Sequence, residues 1–361
     1  MTVQISTRTP HAFLPATLDR LLKDMWFFYA VALYTMLALV FLVAVGDPGG
    51  TSHASYVVPM FKAFGYLMPL AALSFDAIRV LLRFDQRRLL AYRQVFSSER
   101  MASLVSGMVL MAGVAIFLGT FTSIKTSLPL LYDGFPYDRL HAEIDKVLHF
   151  GTDPWRLLHA VGDNGSILRI VEFNYNVIWF VLCFGALFFV ATSPRADMVR
   201  TRYLAMFLLC WVVIGNLMAG TFLSAGPAFY GRVTEDEARF ADHLFFLTQS
   251  QWKNSAVHYQ NYLWMLYRTD TPGVGGGISA FPSVHVALIT MNALFISERS
   301  RLLGVLAFSY AVMVLASSVY LGWHYAIDGY TSIIIVVSGH FLVRRFLPDS
   351  LPQARGNTTR S

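Results

Sequence analysis

Eight apolar runs, each near the roughly 20 residues with which an α-helix crosses a hydrocarbon layer, occupy positions 26–45, 57–82, 102–123, 173–192, 203–223, 281–297, 302–320 and 327–346. A bilayer offers no water to backbone N–H and C=O groups, so each run must satisfy its own, and a helix does this within one segment. The runs therefore predict an all-α fold, a polytopic membrane helical bundle of about eight transmembrane helices. Composition agrees, with 55% hydrophobic and only 14% charged residues, against roughly 25% charged in a soluble domain. A disordered chain, a collagen, a coiled coil and a plain soluble enzyme are excluded. No small-residue cleavage site follows the first run, which predicts a retained span and not a removed signal peptide. The second run carries Lys62 and Asp76. Asp76 stands three residues before Arg79, so the two are expected to pair on one helix face. Cys183 and Cys210 lie inside apolar runs and read as packing residues, not as a disulfide or a thiolate metal site.

The chain carries 28 Lys and Arg against 22 Asp and Glu, a formal charge of +6. Eight helices place both termini on one side. That side collects 18 basic and 8 acidic residues, including Arg8, Arg20, Arg87, Arg200, Arg355 and Arg360, for +10, which leaves −4 on the other. Cytoplasmic linkers are enriched in Lys and Arg, so both termini are expected in the cytoplasm, as in an integral protein of a bacterial inner membrane. The charge thus reports orientation. Arg87/Arg88 and Arg344/Arg345 add some attraction to anionic lipid, while no aromatic-basic interleaving or zinc pattern points to nucleic acid.

The chain divides into N-terminal membrane helices over 1–123 (about three spans), an outer connection over 124–172, a second membrane domain over 173–346 and a cytoplasmic tail over 347–361. In the connection Leu140, Ile144 and Leu148 recur every four residues, with Glu143, Asp145 and Lys146 on the other side. That pattern fits a helix lying in the membrane interface, or equally a surface helix capping the bundle. The stretch Pro272–Gly277 is a flexible break before the sixth run. It lacks the strand and lysine of a nucleotide-binding P-loop. The cluster Glu172, Asn174, Tyr175 and Asn176 opens the fourth run and either links helices or reads a headgroup.

Two short segments carry chemistry. Phe281-Pro282-Ser283-Val284-His285 stands where the glycine-rich loop meets the sixth run. Proline suits the first helical turn, and the free N–H groups of a helix start attract anions. Ser283 and His285 would then face an anion site, or His285 would be an ordinary interfacial histidine. Tyr320-Leu321-Gly322-Trp323-His324-Tyr325-Ala326-Ile327-Asp328 opens the eighth run on the same side. Four residues separate His324 from Asp328, so the carboxylate can accept from the imidazole and fix its tautomer. A structural pair or a shared cation would use the same spacing.

Pro-Ser-x-His followed about forty residues later by His-x-x-x-Asp resembles the type-2 phosphatidic acid phosphatase superfamily. The resemblance covers roughly residues 170–346. It implies a six-helix core with the site at the outer helix ends and neither metal nor cofactor. His324 would be the nucleophile that forms a phosphohistidine, Asp328 its orienting partner, His285 the acid for the leaving oxygen, and Ser283 a phosphate contact. The site would lie on the outer or periplasmic face. The substrate would be a membrane lipid, with an alcohol or water as acceptor.

Two departures sharpen this. The Lys-x6-Arg-Pro that usually precedes these motifs corresponds to Ala219 through Gly226-Pro227, and the Ser-Arg that opens the last motif reads Ser317-Ser318. A dianionic phosphate monoester at a dry site would need those cations. Among branches without the arginine, the inositol phosphorylceramide synthase group is the one this chain resembles, through Pro-Ser-x-His and Tyr-Leu-x-x-His-Tyr-x-x-Asp. This implies a lipid phosphotransferase. A lipid phosphatase acting on phosphatidate or a polyprenyl diphosphate, and a non-catalytic lipid-binding protein, are the alternatives. Arg232 is the candidate substitute cation, or a solvated loop arginine, with Lys253 farther along the same segment. Tyr320 is a candidate phosphate donor, or an interfacial anchor.

Overall fold

The computed structural model describes residues 13–83, 88–250 and 252–347. Arg8, Arg87, Arg355, Arg360 and the tail beyond residue 347 lie outside the described residues. Among the described residues every regular element is a helix. Seven are long and apolar enough to cross a membrane: Met25–Ala44, His53–Leu82, Ser98–Leu131, Gly165–Thr192, Pro194–Thr221, Arg301–Tyr320 and Ala326–Phe346. The run at 281–297 yields a shorter apolar helix, Val284–Ser297, of 14 residues. At about 1.5 Å per residue it is shorter than the roughly 30 Å hydrocarbon layer. Its place is the centre of the bundle, against helices Gly165–Thr192, Pro194–Thr221, Arg301–Tyr320 and Ala326–Phe346. Every residue from Val286 to Phe295 is buried, as expected of a helix that is apolar all round.

The N-terminal helices gather on Ser98–Leu131, which in turn docks on Gly165–Thr192 and Pro194–Thr221. Inside His53–Leu82, Pro59 lies in the helix and Phe61–Leu67 widens into a π-helical stretch, since proline removes one donor from the ladder. Glu298 closes the short helix that Ser283 opens, and ion pairs hold that end of the bundle. Arg202 donates to both Glu298 oxygens at 2.9 Å, Arg200 pairs with Asp24, and Arg20 pairs with Asp197. Asp76 does not pair with Arg79. Arg100 takes it at 3.2 Å while also donating to Thr192 O at 2.8 Å, because the Ser98–Leu131 helix starts beside the end of the preceding one.

The outer connection folds into helices Asp138–Leu148 and Pro154–Gly162. The first turns its polar side inward. Asp138, His141, Ala142 and Asp145 are buried, whereas Leu140, Ile144 and Leu148 are 51%, 39% and 54% exposed. The cause is local: backbone N–H groups under this helix need acceptors, and two aspartates seven residues apart present them on one face. Glu172 serves the same purpose elsewhere. Its buried carboxylate accepts from Ser250 Oγ, Trp252 Nε1 and Ala256 N, tying the second long connection to helix Gly165–Thr192.

Candidate functional site

The two motif segments meet at one end of the bundle. Ser283 caps the short helix, its Oγ accepting from Val286 N at 3.4 Å, and its own N–H donates to Asp328 O at 3.2 Å. The cap is Ser283, so Pro282 stands before it and not in the first turn: the hydroxyl that satisfies an orphan N–H must itself precede the helix. His285 follows two residues later. Its ring is sandwiched between Tyr175, 4.6 Å away between centroids, and Trp179 at 4.0 Å. Trp179 Nε1 also donates to His285 O at 3.1 Å. The ring of His324 lies 6.5 Å from that of His285.

His324 is oriented by two acceptors. Nδ1 contacts Ala280 O at 2.7 Å and Asp328 Oδ2 at 3.2 Å. Both partners are acceptors, so Nδ1 carries the hydrogen and the Nε2 lone pair is left for a ligand. Burial holds the imidazole neutral, pulled down to about 3 against the opposing Ala280 bond and with help from the positive Lys125. A neutral ring with a fixed tautomer is what a nitrogen nucleophile requires. Asp328 Oδ2 also accepts from Tyr325 N at 3.0 Å, while Oδ1 has no hydrogen-bond partner among the described residues.

Around this pair lies a cavity of about 430 Å³. Its wall includes both histidines, the aromatic rings of Trp179, Phe229, Tyr262 and Trp323, and the ammonium-bearing Lys125. The other expected phosphate ligands stand elsewhere. Ser283 is spent on its cap, outside the cavity wall. Tyr320 donates to Gly162 O at 2.6 Å, because its ring turns toward His159 and Phe246. Arg232 lies over Trp264, 4.9 Å from the ring centroid, where the ring's negative face holds it. Lys253 is likewise absent from the wall. Among the described residues no group of three or more His, Cys, Asp and Glu is placed to hold a metal ion.

Support comes from the connection helix. Asp138 accepts from Ala225 N at 2.7 Å, Gly226 N at 2.8 Å and Tyr325 Oη at 2.7 Å. Asp145 accepts from Ala326 N and Ile327 N at 2.8 and 2.9 Å, satisfying the start of the helix that carries Asp328. Gly226, at φ +94°, passes so close to the histidine loop that a Cβ would sit 2.7 Å from Trp323 O. Only glycine fits there.

Sequence reasoning passed over Lys125, Asp138 and the Tyr175/Trp179 clasp. A signal existed for the first: Phe121, Thr122, Leu128 and Pro129, one turn to either side of Lys125, include no acid, so no helix-face pair accounts for it. The polar cluster of the fourth run proves divided, with Glu172 structural and Tyr175 and Asn176 on the cavity wall.

Neither a curated protein nor a solved structure matches the chain. The sequence profile of the PAP2 superfamily matches residues 141–342, more than half of the chain, and takes in both histidine motifs and the helices that position them. The chain therefore belongs to the PAP2 superfamily, as a membrane-embedded lipid enzyme of the phosphatase or phosphotransferase type.

Proposed function

We propose that the protein is a lipid phosphotransferase working through a phosphohistidine, in the manner of the inositol phosphorylceramide synthase group. The observation that carries this reading is the locked tautomer of His324, with Nε2 turned to the cavity and His285 across from it. His324 Nε2 attacks phosphorus, the phosphorus–oxygen bond to the leaving group breaks, and the leaving alkoxide takes up a proton from solution relayed through the neutral ring of His285. In the second half the acceptor hydroxyl returns a proton to His285 as its oxygen displaces His324 from phosphorus. Asp328 and Ala280 O hold the ring throughout. Aromatic walls suit the stem of a lipid headgroup and exclude water, favouring an alcohol acceptor over hydrolysis. The charge asymmetry of the sequence supports placing the site on the outer face with both termini cytoplasmic.

Purified protein incubated with ³²P-labelled phospholipid should yield an acid-labile phosphohistidine that His324→Ala lacks. Normal turnover by His324→Ala would sink the mechanism. Release of inorganic phosphate with no alcohol present would instead identify a lipid phosphatase. Lipid copurifying with no turnover across a broad panel of phospholipids would identify a binding protein.

A further inference from the structure

We propose that Lys125, brought to the site by the third membrane helix, is the cation that holds the phosphoryl group, and that this single cation selects a phosphodiester as the substrate class. The inference rests on the transfer reaction above and deepens it. Lys125 lies outside residues 141–342, the part that matches the family, so the N-terminal helices become part of the site and not only a membrane anchor.

Three observations converge. Among the described residues, Lys125 is the only lysine or arginine on the cavity wall, and its charge acts on both His285 and His324. It has no carboxylate partner there. An ammonium enclosed without a counter-charge is costly, and an anion entering the cavity relieves that cost. The surrounding chain is also shaped for this lysine. Gly277, at φ +83°, lies against it so closely that a Cβ would stand 2.8 Å from Lys125 C and Thr126 N and 2.9 Å from Lys125 Cγ. The same glycine-rich stretch is fixed to the N-terminal helices, since Gly275 N donates to Tyr56 Oη at 3.0 Å and that hydroxyl pairs with Thr122 Oγ1 at 2.5 Å. The stretch is thus a wall of the cavity, packed against the backbone of residues 125–126 and the first carbons of the lysine stem.

Charge then decides the ligand. A phosphodiester carries one negative charge, which one ammonium balances. A monoester, whose second ionisation lies near pH 6, brings a further charge, and the hydroxyl and amide side chains of the wall, those of Tyr175, Asn176, Ser279, Tyr259 and Tyr262, are neutral.

The test is binding, which does not depend on turnover. Dihexanoyl phosphatidylglycerol, a diester, and dihexanoyl phosphatidate, a monoester, are titrated at pH 7 into the full chain in detergent, reading the fluorescence of the cavity tryptophans. The diester should bind at least fivefold more tightly than the monoester. Lys125→Met should weaken diester binding tenfold or more, Lys125→Arg should restore most of it, and Gly277→Ala should weaken it by displacing the stem. Melting temperatures of the variants separate lost binding from lost folding: weakened binding in a Lys125→Met protein that melts like the wild type supports the assignment. Unchanged diester binding by Lys125→Met, or tighter binding of phosphatidate by the wild type, overturns it. Either result leaves the phosphohistidine test of His324 standing, so the two failures are distinguishable.

Discussion

At the residue scale, the decisive feature is that His324 is held by two acceptors and not one. The His-x-x-x-Asp spacing predicts the carboxylate contact, and the structure contains it at 3.2 Å, but the shorter bond, 2.7 Å, goes to Ala280 O. Ala280 lies 44 residues away, beyond any local pattern. The consequence is measurable. Where a carboxylate alone sets a histidine tautomer, its amide replacement costs roughly 10⁴-fold in kcat. Here the carbonyl keeps the tautomer, so under the proposed mechanism Asp328→Asn should lose only the charge that stabilises the phosphorylated ring, lowering kcat about 10- to 100-fold. Steady-state kinetics with KM unchanged within a few-fold would check this.

At the element scale, the helix Asp138–Leu148 shows what periodicity alone leaves open. Its leucine and isoleucine stripe fits a helix in the membrane interface or one capping the bundle. In the structure the stripe stays exposed, since in a membrane protein the outside is itself apolar and hydrogen-bond demand chooses the hidden side. Two aspartates reach the Gly226 turn and the start of Ala326–Phe346 from one helix face. Burial raises the Asp138 carboxyl to about 6, against three donated bonds that pull it down, and the Asp328 charge adds to the rise. A raised carboxyl pKa means that folding favours the protonated form. That contribution is present in full below about pH 4 and is lost as pH rises through about 6, on the order of 3 kcal/mol in all. Melting curves from pH 4 to 7.5 should therefore show the wild type losing stability with rising pH relative to Asp138→Asn. Parallel curves would refute the shift.

At the scale of the whole molecule, the bundle is pinned at one end by ion pairs and open to chemistry at the other. Arg200 and Asp24 are both buried, and truncating one partner leaves a charge stranded. Arg200→Ala should destabilise by about 3–5 kcal/mol, whereas replacing both members with apolar residues should cost far less. Thermal unfolding of the two variants against wild type would measure it. The arrangement also explains how helices lying before the family-matched region enter the site: Ser98–Leu131 packs on Gly165–Thr192 and Pro194–Thr221 and ends at the cavity.

The sequence by itself determined the class of fold, the positions of the spans and the histidine pair, because apolar run length and local spacing are properties of neighbouring residues. Only the tertiary structure decided which groups surround the histidines. Ala280 O, Asp138, Tyr175 and Lys125 arrive from separate helices and loops, and Arg232 and Tyr320, adjacent to the motifs in sequence, are turned to other partners. A buried polar group takes whichever partner packing brings within about 3 Å, and that choice is made by the meeting of helices, which no single segment encodes.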